Sequence, residues 1–379
     1  MFIAYMFLSV EKEVDMNICF VPFYDHFLHN RLFQHTNTWT NHWQDANVEF
    51  YERCQQLGHT VGTWDILPVE QSDVIVFQDY PSTSELVIDV QKRAPAAHTV
   101  LMLYETPFDR PHWFDKANHT LFDAVLTYNS HLVDDKKYFQ FYLPIGMPPL
   151  SSSEISFDKR YPLVMVNTNR YVGLISSARP WHYFDKIKEI QQSGWQCTIP
   201  NVVKTQLSDL NPHRRRLARV AERRHAETLH VFGMGWDGRD SGWFYKFFPD
   251  KPYKLAKGVA VQDKLDLLSG YRFAIAYENY RGNVNYISEK IFDALYAGVV
   301  PIYLGDTDIE SYVWPSCFID RRNFESDDAL LDFVSGCSEH QWKILRDAGN
   351  AYLKSEEIKL FQPKCYADKL LRAIVEVEL

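Results

Sequence analysis

Two carboxylates and a lysine carry most of the chemistry this sequence can offer. Glu289 and Lys290 stand together in N-Y-I-S-E-K-I-F-D-A-L-Y-A-G, and Glu105 closes the apolar run before Thr106-Pro107. A lysine at a helix N-terminus adds its charge to free N–H groups and the positive dipole end, which together can neutralise a diphosphate. A neighbouring glutamate can accept hydrogen bonds from ribose hydroxyls. Taken alone, such a pair is more often a favourable helix start with a solvated lysine. Glu105 has the form of a general base that takes a proton from an attacking hydroxyl. Pro107 forces Thr106 into an extended conformation and so presents Glu105 on a stiff turn. The bland alternative is a carboxylate paired with Arg110 or left in solvent.

The elements that must position these groups follow from hydrophobic periodicity. Phe273–Tyr277 reads as a buried parallel strand ended by Glu278-Asn279, and Tyr280–Asn285 as a loop flexible at Gly282. A helix is expected from near Tyr286, with Ile287, Ile291, Ala294 and Leu295 as its buried stripe and Gly298 as its C-cap. Val299–Leu304 is the next strand. This β-loop-α-β unit places ligands at the carboxyl ends of its strands. Earlier in the chain, strands are expected near residues 17–23, 61–66, 74–77, 99–104 and 124–127, with helices over 44–57 and 84–93. Strands near 163–166 and 229–232 follow, and helices over 327–334, 339–354 and 361–377 close the chain. Alternation of this kind argues an α/β protein with doubly wound parallel sheets. Pro144, Gly146, Pro148, Pro149 and three serines mark a linker, so the expected domains are 1–150 and 151–379. The terminal helix could pack back on the first domain.

Further candidates are scattered along the second half. Arg179, beside Ser177 and Pro180 at an expected helix start, has the fork geometry to hold a phosphate, with Arg170 in reserve. Gly233 opens a G-x-G turn after a strand. Six arginines between 214 and 224 form the strongest positive patch. That helix could meet an anionic glycolipid or membrane surface, or be a solvated face paired with acids, and the latter is favoured. Asp306-Thr307-Asp308 has the D-x-D form of a metal site but reads better as a cap for the next helix. Lys264 reads as structural.

The 379 residues carry a formal net charge of −9, which gives no general nucleic-acid role. Six scattered cysteines with no C-x-x-C fit a reducing compartment better than a structural zinc site. Met1–Val10 is apolar but far short of the about 20 residues that span a bilayer. It makes a poor signal peptide, and residues 1–15 read as a tail, with Met16 as a candidate start. A cytoplasmic protein is expected, peripheral to a membrane at most.

Taken together, Y-R-F-A-I-A-Y-E-N, N-Y-I-S-E-K-I and A-G-V-V-P-I-Y-L-G resemble the donor-binding signature of the α1,3/4-fucosyltransferases, glycosyltransferase family 10, in its soluble bacterial type. Glu105-Thr106-Pro107 stands where that family carries Glu-Ser-Pro. The resemblance implies two facing Rossmann-like domains in the GT-B arrangement. It implies GDP-fucose as donor, an oligosaccharide or glycolipid acceptor, and inverting transfer to a hydroxyl with Glu105 as base. It assigns Arg179, Tyr286, Glu289, Lys290, Glu278, Asn279 and Gly233 to the donor site. No cofactor or bound metal is required, and divalent-metal stimulation is left open. Tyr277 and Tyr280 depart from the family's Phe-Glu-Asn-Ser/Thr, which keeps another GDP-linked sugar as an alternative. A non-catalytic nucleotide-sugar or glycan-binding protein is the third reading.

Overall fold

The computed structural model describes residues 15–35, 44–81, 83–107, 111–148, 155–170, 208–238, 251–260 and 263–375. Its framework is two sheets in which every strand pairs parallel. The first comprises β1 Asn17–Val21, β2 Thr60–Thr63, β3 Val74–Gln78, β4 His98–Leu103, β5 Ala124–Thr127 and β6 Tyr138–Gln140. Its order is β2-β1-β3-β4-β5-β6. The second comprises β7 Tyr161–Val166, β8 Leu229–Phe232, β9 Tyr271–Tyr277, β10 Val300–Leu304 and β11 Ile319–Asp320, in the order β11-β10-β9-β7-β8. Each sheet therefore starts in its interior, steps out on one side and returns to build on the other. That reversal opens a crevice at the carboxyl ends of β1 and β3 in one sheet and of β7 and β9 in the other.

The strands are buried on both faces because helices cover both. Ile18, Phe20, Val74, Val76, Val100 and Met102 pack on one side of the first sheet. Their sequence neighbours Cys19, Ile75, Phe77 and Leu101 pack on the other, as the two-residue side-chain period requires. The helix Pro363–Val375 belongs to the first sheet's core although it ends the chain: Tyr366, Ala367, Leu370, Ala373 and Ile374 are all buried there. It lies against the helix Asp45–Gln56. In the second sheet, the helix Glu289–Tyr296 buries Ile291, Phe292 and Leu295 together with Ala276 of β9 and Tyr303 of β10.

β6 has no counterpart in the sequence reading; it is three residues long and too short for a periodic signal. Among the described residues no helix is long and apolar enough to cross a membrane. The five described cysteines are free thiols.

Candidate active site

A cleft of about 640 Å³ lies between the carboxyl ends of the two sheets. Tyr24 after β1, Asp79 after β3 and Glu105 after β4 line it from the first half. Arg170 after β7, Tyr286 before the Glu289–Tyr296 helix and Glu289 at its start line it from the second. The topology thus brings Glu105 and the Tyr286–Glu289 segment to one space, though they are far apart in the chain.

Glu105 is half-buried on a turn held through its backbone. Its amide donates to Asp79 Oδ1 at 3.4 Å, and the amide of Tyr104 donates to the same oxygen at 2.7 Å. The Glu105 carbonyl accepts from the Tyr128 hydroxyl at 3.1 Å. The Tyr128 ring meets the ring of Tyr286 edge-on, with centroids 5.1 Å apart, so the aromatic pair links the two halves beside Glu105. Burial, followed by the charges of Glu105 and Glu278, pushes the Tyr286 phenol well above its ordinary pKa. Tyr286 therefore stays protonated and keeps its O–H as a donor.

The helix starts at Glu289, three residues later than its apolar stripe suggests, and Tyr286 sits in the preceding loop. The cause is Ser288, which adopts extended backbone and caps the first turn by accepting from the Lys290 amide. Ser288 is itself gripped by Glu278: its amide donates to Oε1 at 2.9 Å and its hydroxyl to Oε2 at 2.6 Å. Lys290 Nζ reaches Ser288 Oγ at 3.0 Å and Glu278 Oε2 at 3.4 Å. Glu278 is 0 % exposed and lies behind the site, where it fastens the helix start. Asn279 turns away as well: its side-chain oxygen accepts from the Arg214 guanidinium at 3.3 Å.

Glu289, unlike Glu278, opens into the cleft, its side chain 51 % exposed. Desolvation works to raise its pKa, but the charges of Lys290 and Lys264 outweigh that and hold the carboxyl below its ordinary value. A depressed carboxyl keeps its charge above its ordinary value and loses it only as pH falls toward the folded value. Glu289 is thus an anion throughout neutral pH. Lys264, also on the cleft wall, pairs with Asp293 at 2.5 Å.

Gly233 braces the cleft without lining it. Its φ is +132°, and a Cβ there would clash with the carbonyl oxygen of Asn167. That contact lets the β8 turn hold the segment after β7: Asn169 donates its amide to Met234 and its side-chain N–H to Gly235, each at 2.9 Å. Arg170 follows directly and reaches the cleft. Gly233→Ala is expected to cost about 1–3 kcal/mol in backbone strain alone, with the clash added. A fall in the urea midpoint checks it, and an unchanged midpoint would exclude the close approach. Arg179 lies outside the described residues.

The arginine helix, Asn211–Arg224, buries one of its arginines and pairs several others with acids at the surface. Arg214 is buried and donates to the carbonyls of Tyr277 and Glu278, the last residues of the β9 end. Burial pulls its pKa down to about 10. Arg216 pairs with Asp327, Arg224 with Asp328, and Arg219 stacks on Tyr253 and pairs with Glu222. This is the face-paired-with-acids arrangement. In D-x-D, Asp306 is buried and accepts from the amides of Asn285 at 2.8 Å and Asp308 at 3.1 Å. It shapes the loop before Tyr286 and caps nothing further on: the 3-10 turn Ile309–Ser311 receives no side-chain cap from Asp308.

Sequence reasoning missed Asp79, Tyr128, Ser288 and Asn285. Asn285 takes a left-handed φ of +61°, and its side-chain oxygen accepts from the Ser130 amide of the first half at 3.3 Å. A carboxylate directly after an apolar strand was the available signal for Asp79, the same signal that marks Glu105.

Residues 201–346 match the family model for the C-terminal part of glycosyltransferase family 10, the fucosyltransferases. Over 96 residues the chain is 32 % identical to an α-(1,3)-fucosyltransferase of Helicobacter pylori, covering 25 % of this chain and 18 % of that protein. Over 106 residues it is 32 % identical to an α-(1,4)-fucosyltransferase of Arabidopsis thaliana, covering 26 % of each chain. The matches therefore span about a fifth to a quarter of the length of these relatives. In three dimensions the chain superposes on a DNA-modifying β-glucosyltransferase with a TM-score of 0.55 and 11 % identity, over 95 % of this chain and 99 % of that one. The fold is GT-B-like, with two parallel sheets facing a cleft.

Proposed function

We propose that this chain, whose residues 201–346 match the family 10 fucosyltransferase C-terminal model, moves fucose from GDP-fucose to a glycan hydroxyl. The observation that carries the reading is the shared cleft: Glu105 enters it from one sheet and Tyr286 and Glu289 from the other, on the helix start that the family match contains. In this reading the second half holds the nucleotide. Glu289 accepts from the ribose, and Lys290 with the helix N-terminus meets the diphosphate charge. Arg170 stands on the same wall, and the Arg179 assignment remains part of the proposal. The first half holds the acceptor. Glu105 takes the proton of the attacking hydroxyl as its oxygen bonds to the anomeric carbon, and the bond to the β-phosphate oxygen breaks on the opposite face. The anomeric configuration inverts. GDP departs as a stable anion, so no second carboxyl is needed to protonate it, and a metal is not assigned a role.

Tyr277 and Tyr280 motivated a different GDP-linked sugar, but they are 1 % and 2 % exposed and line no part of the cleft. An α1,3 or α1,4 linkage to N-acetylglucosamine or glucose belongs to the proposal. The test is GDP release from a panel of GDP- and UDP-sugars, each with galactose- and N-acetylglucosamine-containing acceptors. Acceptor-dependent release from GDP-fucose is expected. Release from another donor overturns the sugar assignment, and tight GDP binding without turnover on any donor overturns the transferase reading.

A further inference from the structure

We infer that Asp79 is a positioning residue for the Glu105 turn, a role that rests on the transferase reading above. Asp79 is buried, lines the cleft and has a φ of +65°, a left-handed conformation that Asp tolerates better than most residues. Its amide continues the β3–β4 ladder by donating to Met102 at 2.8 Å. The chain then turns, and the carboxylate swings across to the end of β4. There Oδ1 takes the amides of Tyr104 at 2.7 Å and Glu105 at 3.4 Å. Both amides lie just beyond the last β4–β5 register pair, at Leu103 and Thr127, where the chain leaves the sheet. Asp79 supplies an acceptor to both, and a carboxylate accepts such bonds more strongly than a neutral group.

The neighbouring residue holds the other side of the same turn. Gln78 donates to Asn47 Oδ1 at 2.9 Å, and Asn47 accepts from the Tyr366 hydroxyl at 2.9 Å. The Tyr104 hydroxyl then donates to the Tyr366 hydroxyl at 2.6 Å, since the Tyr366 proton is given to Asn47. Gln78 therefore secures the Tyr104 side chain through two intermediaries, while Asp79 secures the Tyr104 and Glu105 backbone directly. A strained residue at a strand end, with its carboxylate committed to the backbone of the proposed base, sets where that base stands. A displacement of about 1 Å at such a group can cost about a hundredfold in rate.

The test compares two variants that both accommodate the left-handed backbone. Asp79→Gly removes the acceptor, and Asp79→Asn keeps an oxygen in its place. Wild type and both variants are assayed with GDP-fucose and the acceptor panel, with Glu105→Gln alongside and thermal unfolding as the folding control. Asp79→Gly is expected to lose about 10- to 100-fold in kcat with the donor KM within about twofold, and Asp79→Asn to recover most of that loss. Amide hydrogen exchange at Tyr104 and Glu105 is expected to be faster in Asp79→Gly and near wild type in Asp79→Asn, with no dependence on turnover. An inactive Glu105→Gln beside a fully active Asp79→Gly overturns the positioning role and leaves the base standing. An active Glu105→Gln overturns the base, and the exchange rates then decide alone. Unchanged exchange in Asp79→Gly overturns the inference whatever the donor.

Discussion

Glu105→Gln is expected to lower kcat for acceptor-dependent GDP release by about 10²- to 10⁴-fold, the range that a positioned general base supplies, with GDP affinity unchanged. The substitution keeps the side-chain volume and removes the proton-accepting charge. The turn should keep its shape, because its hydrogen bonds run through the backbone: to Asp79 from the Tyr104 and Glu105 amides, and from Tyr128 to the Glu105 carbonyl. Donor binding should persist, because Glu289 and Lys290, the residues proposed to hold the donor, belong to the other sheet's helix. Single-turnover GDP release read beside a GDP titration separates the two effects. A glutamine variant within about threefold of wild type would transfer the base role elsewhere and break the proposed chemistry at its first step.

Glu278→Ala is expected to be the most damaging single truncation near the site, at about 3–5 kcal/mol, against a total stability of about 5–15 kcal/mol for a typical domain. Glu278 is wholly buried. Its loss would strand the Ser288 amide and hydroxyl and leave the Lys290 ammonium, 15 % exposed, without its buried counter-charge. The vacated volume adds a cavity cost. Gly305 reports how tightly that space is filled: a Cβ there would lie 2.5 Å from Glu278 Cγ. Equilibrium urea unfolding measures the loss. GDP affinity should fall in the surviving folded protein, because the first helical turn loses the cap that orders it. A variant within about 0.5 kcal/mol of wild type would show that Ser288 and Lys290 hold their places unaided.

Much of the fold was written locally. Apolar runs such as Val74–Gln78 and Ala124–Thr127 are strands in the structure at nearly the positions their periodicity indicates. The helix Ser84–Arg93 has the bounds expected of it. The parallel α/β class followed from their alternation. The helix at Glu289 was displaced because the apolar stripe begins before the chain turns helical. Ile287 is buried without belonging to the helix, and the start is set by Ser288, whose anchor Glu278 lies on another element. The role of Glu278 was illegible for the same reason. An acid after a strand looks the same in sequence whether it faces a ligand or a neighbouring hydroxyl. Arg214 looked like part of a surface charge run, yet its position on the helix turns it inward to two carbonyls that no local pattern announces. Asp79, Tyr128 and Asn285 act only through residues distant in sequence, so their partners exist only after the sheets have formed.

The terminal helix gives synthesis a direction of its own. One wall of the first sheet is supplied by Pro363–Val375, and the bond between Tyr104 and Tyr366 spans 262 residues. As the chain leaves the ribosome, that sheet must wait with Val100, Met102 and Leu126 partly uncovered while the entire second half is made. The second half, by contrast, can assemble around β7 to β11 as it emerges. The half that is translated first is therefore completed only after the strands of the second sheet have been made. Its proposed base reaches its final setting only when Pro363–Val375 docks, so a polypeptide interrupted before that helix would hold a formed second sheet beside an unfinished first one.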